Sequence, residues 1–227
     1  MVTAASAFRV SGPGGAALVE LVGVGVPCVL YAMVRGGVRA GLALRRPALR
    51  PLVGAAVIGA SMWMVLLYAV MPLQERVAET PPELRRALDA LAGTGEPIVL
   101  VLVGVALVPA ICEELLCRGI LVAAFAPHGR AVAIVASAAL FALLHLSPYR
   151  FVPTFLLGLS LGWVTVVAGS VVPAIVLHLL HNAAVVVTSR VAADVVDDPP
   201  WQLGVLAIAI CALGHVCVGW RARAALK

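Results

Sequence analysis

Two adjacent carboxylates and an arginine lie in the middle of an apolar stretch of this sequence. Glu113, Glu114 and Arg118 fall between residues 97 and 125, where the other side chains are mostly hydrophobic. Ionisable groups are expensive to bury at membrane depth, so they usually mark a functional site. Three more polar residues lie downstream, each within a hydrophobic segment of its own: His145, His178 and Asn182. Together these residues indicate chemistry inside a bilayer.

Helical spacing separates the roles of the two acids. Glu114 and Arg118 are four residues apart and share a helix face, whereas Glu113 is turned about 100° away from Glu114. The arginine can therefore neutralise Glu114 and leave Glu113 as a candidate general base. The alternative is a structural ion pair beside one hydrogen-bonded acid, but packing alone does not readily explain a second acid next to a satisfied pair.

A second polar pair has the same spacing. His178 and Asn182 are four residues apart, so an imidazole and a carboxamide can address the same point from one helix face. His181 is three residues from His178 and is less well aligned with that face. One histidine alone in a helix is usually a core residue, but two polar side chains at helical spacing favour a site.

The composition is that of a membrane protein. Of the 227 residues, 63% are hydrophobic and 12% are charged, whereas soluble domains are about 45–50% apolar and about 25% charged. The basic residues are scattered over short loops without an aromatic-interleaved patch, which argues against nucleic-acid binding. The five cysteines include no Cys-x-x-Cys pair, so they predict neither a disulfide framework nor a thiolate metal site.

A helix needs about 17–25 residues to cross a bilayer. The sequence contains about seven hydrophobic segments of about that length. We therefore predict an all-α, polytopic transmembrane helical bundle that forms one domain over residues 1–227, with the active site inside the membrane. The predicted spans are residues 16–34, 52–71, 97–125, 131–146, 152–168, 171–187 and 203–220.

The loop charges predict the orientation of the chain in the cytoplasmic membrane. Basic residues mark cytoplasmic loops, and the loop over residues 35–50 carries five arginines and no acid. The basic tail after residue 220 belongs on the same side, and the acid-rich loops 73–96 and 189–202 belong on the other. We therefore expect the N-terminus outside and the C-terminus in the cytoplasm.

A short amphipathic helix is predicted on the membrane surface over residues 80–92. Thr80, Pro81 and Glu83 form a helix-start pattern, and Gly93 ends the segment. Such a helix would either gate substrate access or serve as a solvated connector packed on the bundle.

Three short motifs resemble those of the CAAX-protease and bacteriocin-processing family of intramembrane endopeptidases, which includes the Ras-converting enzymes. Glu113 to Arg118 reads Glu-Glu-x-x-x-Arg, Phe141 to His145 reads Phe-x-x-x-His, and His178 to Asn182 reads His-x-x-x-Asn. Each motif alone is weak, but all three in this order, each in an apolar helix, are a specific signal. The resemblance covers residues 97–187, which would form the catalytic core.

The resemblance implies hydrolysis of a peptide bond in a membrane-associated or lipid-modified protein or peptide. Glu113, helped by His145, would activate a water molecule. His178 and Asn182 would stabilise the oxyanion, and Glu114 would hold Arg118 and orient the site.

The resemblance leaves a metal as the main mechanistic alternative. Glu113, His145 and His178 would supply three ligands to zinc and leave a fourth position for water. The sequence has no His-Glu-x-x-His motif, and similar proteins are generally glutamate-dependent, so we expect a site without metal or other cofactor. Two other functions are alternatives to the endopeptidase: a non-catalytic family member in bacteriocin immunity or membrane scaffolding, and a proton-coupled transporter.

Overall fold

The computed structural model describes residues 4–77, 79–82, 86, 95–191 and 201–219, and over these residues the chain is helical with no β-strand. A helical segment begins at Ala4 and is broken at Gly12, where φ is 67°. A one-turn helix, Val38–Gly41, follows the first long helix. Within the described ranges the chain forms seven long helices: α1 (Gly12–Val34), α2 (Leu49–Glu75), α3 (Ile98–His128), α4 (Arg130–Leu144), α5 (Pro148–Ala168), α6 (Val172–Val191) and α7 (Trp201–Gly219).

Six of these helices, rather than seven, are long and apolar enough to cross a membrane. The exception is α4, which corresponds to the predicted span 131–146. Its 15 residues extend about 22 Å, less than the hydrocarbon thickness of about 30 Å. The all-α, polytopic architecture predicted from the sequence is confirmed, and the chain is a multi-pass membrane protein.

Glycines set the close approach of neighbouring helices. A Cβ at Gly158 would lie 3.0 Å from the Cα of Ala138, and one at Gly162 would lie 3.3 Å from the Ile134 side chain. From Gly158 to Gly162 the residue number increases along α5, whereas the number of the contacted residue in α4 decreases from 138 to 134. Helices α4 and α5 are therefore antiparallel. Small residues drive such packing in membranes, where the surrounding lipid is as apolar as the helices themselves.

Helix α2 packs against α6 and α7. Its Gly54 and Ile58 pack against Gly214 of α7, and its Gly59 packs against the backbone of Leu177 in α6. The largest buried cluster gathers side chains from α2 through α7; among them are Ile58, Phe141, Leu161, Leu177 and Cys211. The helix that carries the His-x-x-x-Asn motif is therefore held against the core by a glycine contact.

Helix α3 is interrupted on both sides of the acidic pair. Two π-helical segments, Leu102–Leu107 and Leu115–Leu121, flank the α-helical segment Val108–Glu114. Pro109 has no N–H and cannot donate to the Val105 carbonyl one turn earlier, which weakens the regular α-helical ladder there. Widened turns of this kind occur frequently at functional sites.

The arginine-rich loop is fixed to the turn between α5 and α6. The Val171 N–H donates to the Ala43 carbonyl over 3.1 Å, and the Ser170 hydroxyl donates to the Arg45 carbonyl over 2.7 Å. These two connections therefore lie on the same side of the bundle, the arrangement that the predicted topology requires.

The opposite end of the bundle joins the end of α2 to the start of α5. Gln74 donates to the Tyr149 carbonyl, and the Thr80 and Tyr149 hydroxyls lie 2.8 Å apart. The surface helix predicted over residues 80–92 lies largely outside the described residues. The same is true of most of loop 189–202 and of the basic tail.

Candidate active site

The ion pair of α3 is buried in the middle of the bundle. Arg118 Nη1 donates to Glu114 Oε1 over 2.9 Å, and both side chains have 0% exposure. A hydrogen bond between two charged groups in such surroundings is strong, and removing either partner would leave the other charge uncompensated. Glu114 and Arg118 are therefore fixed parts of the structure and not mobile charges.

Arg118 also connects α3 to two other helices. Its Nη2 donates to the Gly158 carbonyl of α5 over 2.9 Å. Its guanidinium carbon lies 4.6 Å from the centroid of the Phe141 ring of α4, within the range of a cation–π interaction. Phe141 was signalled by the Phe-x-x-x-His motif, whereas nothing in the sequence marks Gly158 as an arginine partner.

His178 of α6 is oriented by Glu114. Its Nδ1 lies 2.9 Å from Glu114 Oε1, the oxygen that also accepts from Arg118. An ionised carboxylate only accepts hydrogen bonds, so Nδ1 carries the proton in this contact. The other ring nitrogen, Nε2, lies 3.9 Å from Glu113 Oε2. The hydrogen bond to Glu114 therefore orients the imidazole so that its Nε2 faces Glu113.

Glu113 is the acid without a fixed partner. It makes no hydrogen bond to any residue that the structure describes, and its side chain is 20% exposed. The charges that interact with it electrostatically include those of His178, Arg118 and Arg150. Adjacent positions in one helix thus place one carboxylate in a buried hydrogen-bonded network and leave the other without a hydrogen bond to the described residues.

His145 is positioned by the end of α4. It is the C-terminal cap residue of that helix, and its Nδ1 donates to the Phe141 carbonyl over 2.9 Å. The Phe141 ring lies edge-on to both histidines, with centroid distances of 5.0 Å to His145 and 5.6 Å to His178. Within the described part of the chain, no hydrogen bond or ion pair joins His145 to Glu113.

Asn182 faces the π-helical part of α3. Its Nδ2 donates to the Val105 carbonyl over 3.4 Å, the carbonyl that Pro109 cannot satisfy. No hydrogen bond joins Asn182 to His178 or Glu113 among the described residues. An amide nitrogen has two N–H groups, so one donor remains for another acceptor.

Three more ionisable residues lie near the site and belong to none of the predicted roles. His181 is 9% exposed, and its Nδ1 has no hydrogen-bond partner among the described residues. Glu20 of α1 is 6% exposed and interacts electrostatically with Glu113 and His178. Arg150, in the first turn of α5, interacts electrostatically with Glu113. The sequence signal for Glu20 was an acid inside an apolar stretch.

The residues considered for a zinc ion do not fit one. Among the described residues, no group of three or more histidine, cysteine, aspartate or glutamate side chains is arranged to hold a metal. Glu113, His145 and His178 therefore do not form such a group.

The fold and the site define a multi-pass helical membrane protein whose ionisable side chains converge inside the bundle. Residues 95–184 match the family model described as type II CAAX prenyl endopeptidase Rce1-like, the family that the three motifs predict. No curated protein and no solved structure matches the chain. That family is one of proteases, so the match is to a hydrolase type.

Proposed function

We propose that this protein is an intramembrane endopeptidase that hydrolyses a peptide bond of a membrane-associated or lipid-modified protein or peptide. The observation that carries the proposal is the contrast between the two acids. Glu114 is occupied by Arg118 and His178, whereas Glu113 makes no hydrogen bond within the described part of the chain. A free carboxylate beside an oriented imidazole is the arrangement that activation of water requires.

Glu113 acts as the general base. It takes a proton from a water molecule whose oxygen adds to the scissile carbonyl carbon, and it later returns that proton to the departing nitrogen. His145 assists by orienting the water through Nε2, since its Nδ1 is occupied by the Phe141 carbonyl. General base catalysis of this kind contributes about 10²- to 10⁴-fold in rate.

His178 and Asn182 stabilise the oxyanion. His178 donates from Nε2 to the negative oxygen when both of its ring nitrogens carry protons, while Nδ1 remains bonded to Glu114. Asn182 contributes the N–H that is not directed to Val105. One donor preplaced where charge develops is worth about 10²- to 10³-fold in kcat.

The catalytic core comprises residues 97–187 within a single transmembrane domain spanning residues 1–227. The protein lies in the cytoplasmic membrane with its N-terminus outside and its C-terminus in the cytoplasm. The substrate reaches the site within or beside the bilayer, because Glu113 belongs to a membrane-spanning helix.

The experiment compares membrane proteomes of cells that produce the wild type, Glu113→Gln or Glu96→Gln. Glu96 is an exposed acid at the start of α3, so its variant controls for expression and for the loss of a negative charge. We expect uncut precursors to accumulate with Glu113→Gln only, and cleavage of a purified precursor to fall at least about 100-fold.

His145→Ala and the exposed-residue control His128→Ala extend the comparison to the second candidate. Accumulation of the same precursors with His145→Ala, but not with His128→Ala, would support the mechanism. If Glu113→Gln and His145→Ala both process every precursor as the wild type does, the peptidase proposal fails and a non-catalytic role replaces it.

A further inference from the structure

Helix α1 brings a third carboxyl group to the candidate active site. Glu20 lies between two points where α1 runs alongside α3: Pro13 against Gly104, and Gly25 against Cys112. Cys112 immediately precedes Glu113 in the sequence. A π-helical segment begins directly after Glu20, at Leu21–Gly25, so the widened turn of α1 faces the acidic part of α3.

The surroundings of Glu20 do not satisfy its carboxyl group. The residue is 6% exposed, and its Oε2 is buried with no hydrogen-bond partner among the described residues. Burying a polar group without a compensating hydrogen bond is costly, and an ionisable residue inside a membrane span is a functional candidate by default. A cation or an N–H donor from a ligand would satisfy it.

Charge is distributed unevenly around Glu113. His178 of α6 and Arg150 of α5 interact with Glu113 as positive groups, whereas Glu20 of α1 interacts with it as a negative group. Neither Glu20 nor Arg150 forms an ion pair with a described residue. A positive group produced at Glu113 is therefore repelled from the α5 side and attracted to the α1 side.

We propose that Glu20 is a further catalytic residue, which binds the amine nitrogen released by peptide-bond cleavage as its ammonium ion. This inference rests on the proposed function. Hydrolysis of an amide adds one water molecule and yields one carboxylate and one ammonium ion. Glu113 carries the first proton from water to the nitrogen, the C–N bond breaks, and the new carboxylic acid gives the second proton to the amine. Glu20 forms and breaks no covalent bond; it pairs with the ammonium ion.

The test compares an amide with an ester of otherwise identical sequence. A precursor peptide and its depsipeptide, in which the scissile N–H is replaced by oxygen, are given to purified wild type, Glu20→Gln and Glu96→Gln. An ester releases an alcohol and no ammonium ion. We therefore expect Glu20→Gln to lower kcat for the amide about 10- to 100-fold and to leave ester hydrolysis within about twofold of the wild type.

Inhibition by the amine product gives a second readout. The free C-terminal fragment should inhibit wild type about tenfold more strongly than Glu20→Gln, because a carboxylate pairs with the ammonium ion and a neutral carboxamide does not. Glu20→Asp keeps a carboxyl group and should retain the amide preference; it also serves where the glutamine variant does not fold.

The outcomes separate this inference from the proposed function. Equal loss of amide and ester hydrolysis in Glu20→Gln would reduce Glu20 to a structural role, and no loss of either would remove it from the site. Glu113→Gln must slow both substrates; if it slows neither, the proposed function itself fails, whatever Glu20 does.

Discussion

The two adjacent glutamates of α3 differ in their partners more than in their depth. Glu114 Oε1 accepts from both Arg118 and His178, whereas Glu113 keeps its oxygens free of hydrogen bonds to the described residues. The first carboxylate is a structural anchor that also orients an imidazole. The second is the proposed general base, so one helix would supply both functions at consecutive positions.

Replacing Glu114 should affect stability and activity together. Glu114→Gln leaves Arg118 as a buried charge without its counter-ion, which costs about 3–5 kcal/mol of unfolding free energy. It also replaces the charged acceptor that orients His178 with a neutral carboxamide oxygen, a weaker acceptor, so kcat should fall about 10²- to 10⁴-fold. Thermal unfolding in detergent and cleavage of a precursor peptide measure the two effects.

Glu113→Gln is the matched comparison for that prediction. Glu113 has no hydrogen bond to a described residue to lose, so this variant should lose activity with a change in unfolding free energy within about 1 kcal/mol. If the two variants are equally stable, the separate roles of the two acids are wrong.

At the level of the helices, glycine contacts and π-helical segments determine where the polar groups meet. Gly59 lets α2 approach the backbone of α6 beside His178. Gly158 lets α5 approach α4, and its carbonyl accepts a hydrogen bond from Arg118. The π-helical segments of α3 alter which residues face the core around the acidic pair. The site is therefore a product of close helix packing.

Gly59→Ala should displace α6 and with it His178. The added Cβ would overlap the Leu177 carbonyl oxygen and would lie 2.9 Å from the Leu177 Cα. Overpacking of this kind costs about 1–3 kcal/mol, and a small shift of a catalytic group costs about tenfold or more in rate. Unfolding temperature and kcat are the measurements.

Gly23→Ala is the control, because a Cβ at Gly23 would have no atom within 4 Å. This variant should match the wild type in both measurements. Wild-type behaviour of Gly59→Ala would mean that the α2–α6 contact does not position the site.

At the level of the whole molecule, α4 and α5 act as one antiparallel hairpin. The descending register of Gly158 and Gly162 against α4 means that α5 returns to the side from which α4 starts. The shortness of α4 therefore leaves the sides of all later loops unchanged. Loop 35–50 is hydrogen-bonded to the α5–α6 turn, so these two connections lie on the same side of the bundle.

Reporter fusions test the orientation of the whole chain. A fusion at Arg45, in the arginine-rich loop, should report the cytoplasm, and a fusion at Asp197, in the acid-rich loop, should report the outside. A fusion at Ser170 should agree with Arg45, because their loops are hydrogen-bonded. A cytoplasmic signal at Asp197 would contradict the predicted topology.

The sequence by itself determined the features that depend on local spacing. Apolar runs gave the helices and their approximate ends, and the four-residue spacing of Glu114 and Arg118 anticipated their contact, because neighbours along a helix meet whatever surrounds them. The count of long spans was one too high because α4 ends at Leu144, where the chain turns back into α5.

Only the tertiary structure decided the contacts between distant residues. The bond from His178 to Glu114 spans 64 positions, Arg118 bonds to Gly158 across 40, and Asn182 turns to Val105. These partners depend on which helix faces meet and how closely, and that is set by glycines, prolines and side-chain shapes on several helices at once. A periodic pattern along one helix carries no information about the neighbouring helix. Only the packing of α1 against α3 therefore places Glu20 near the acids of α3.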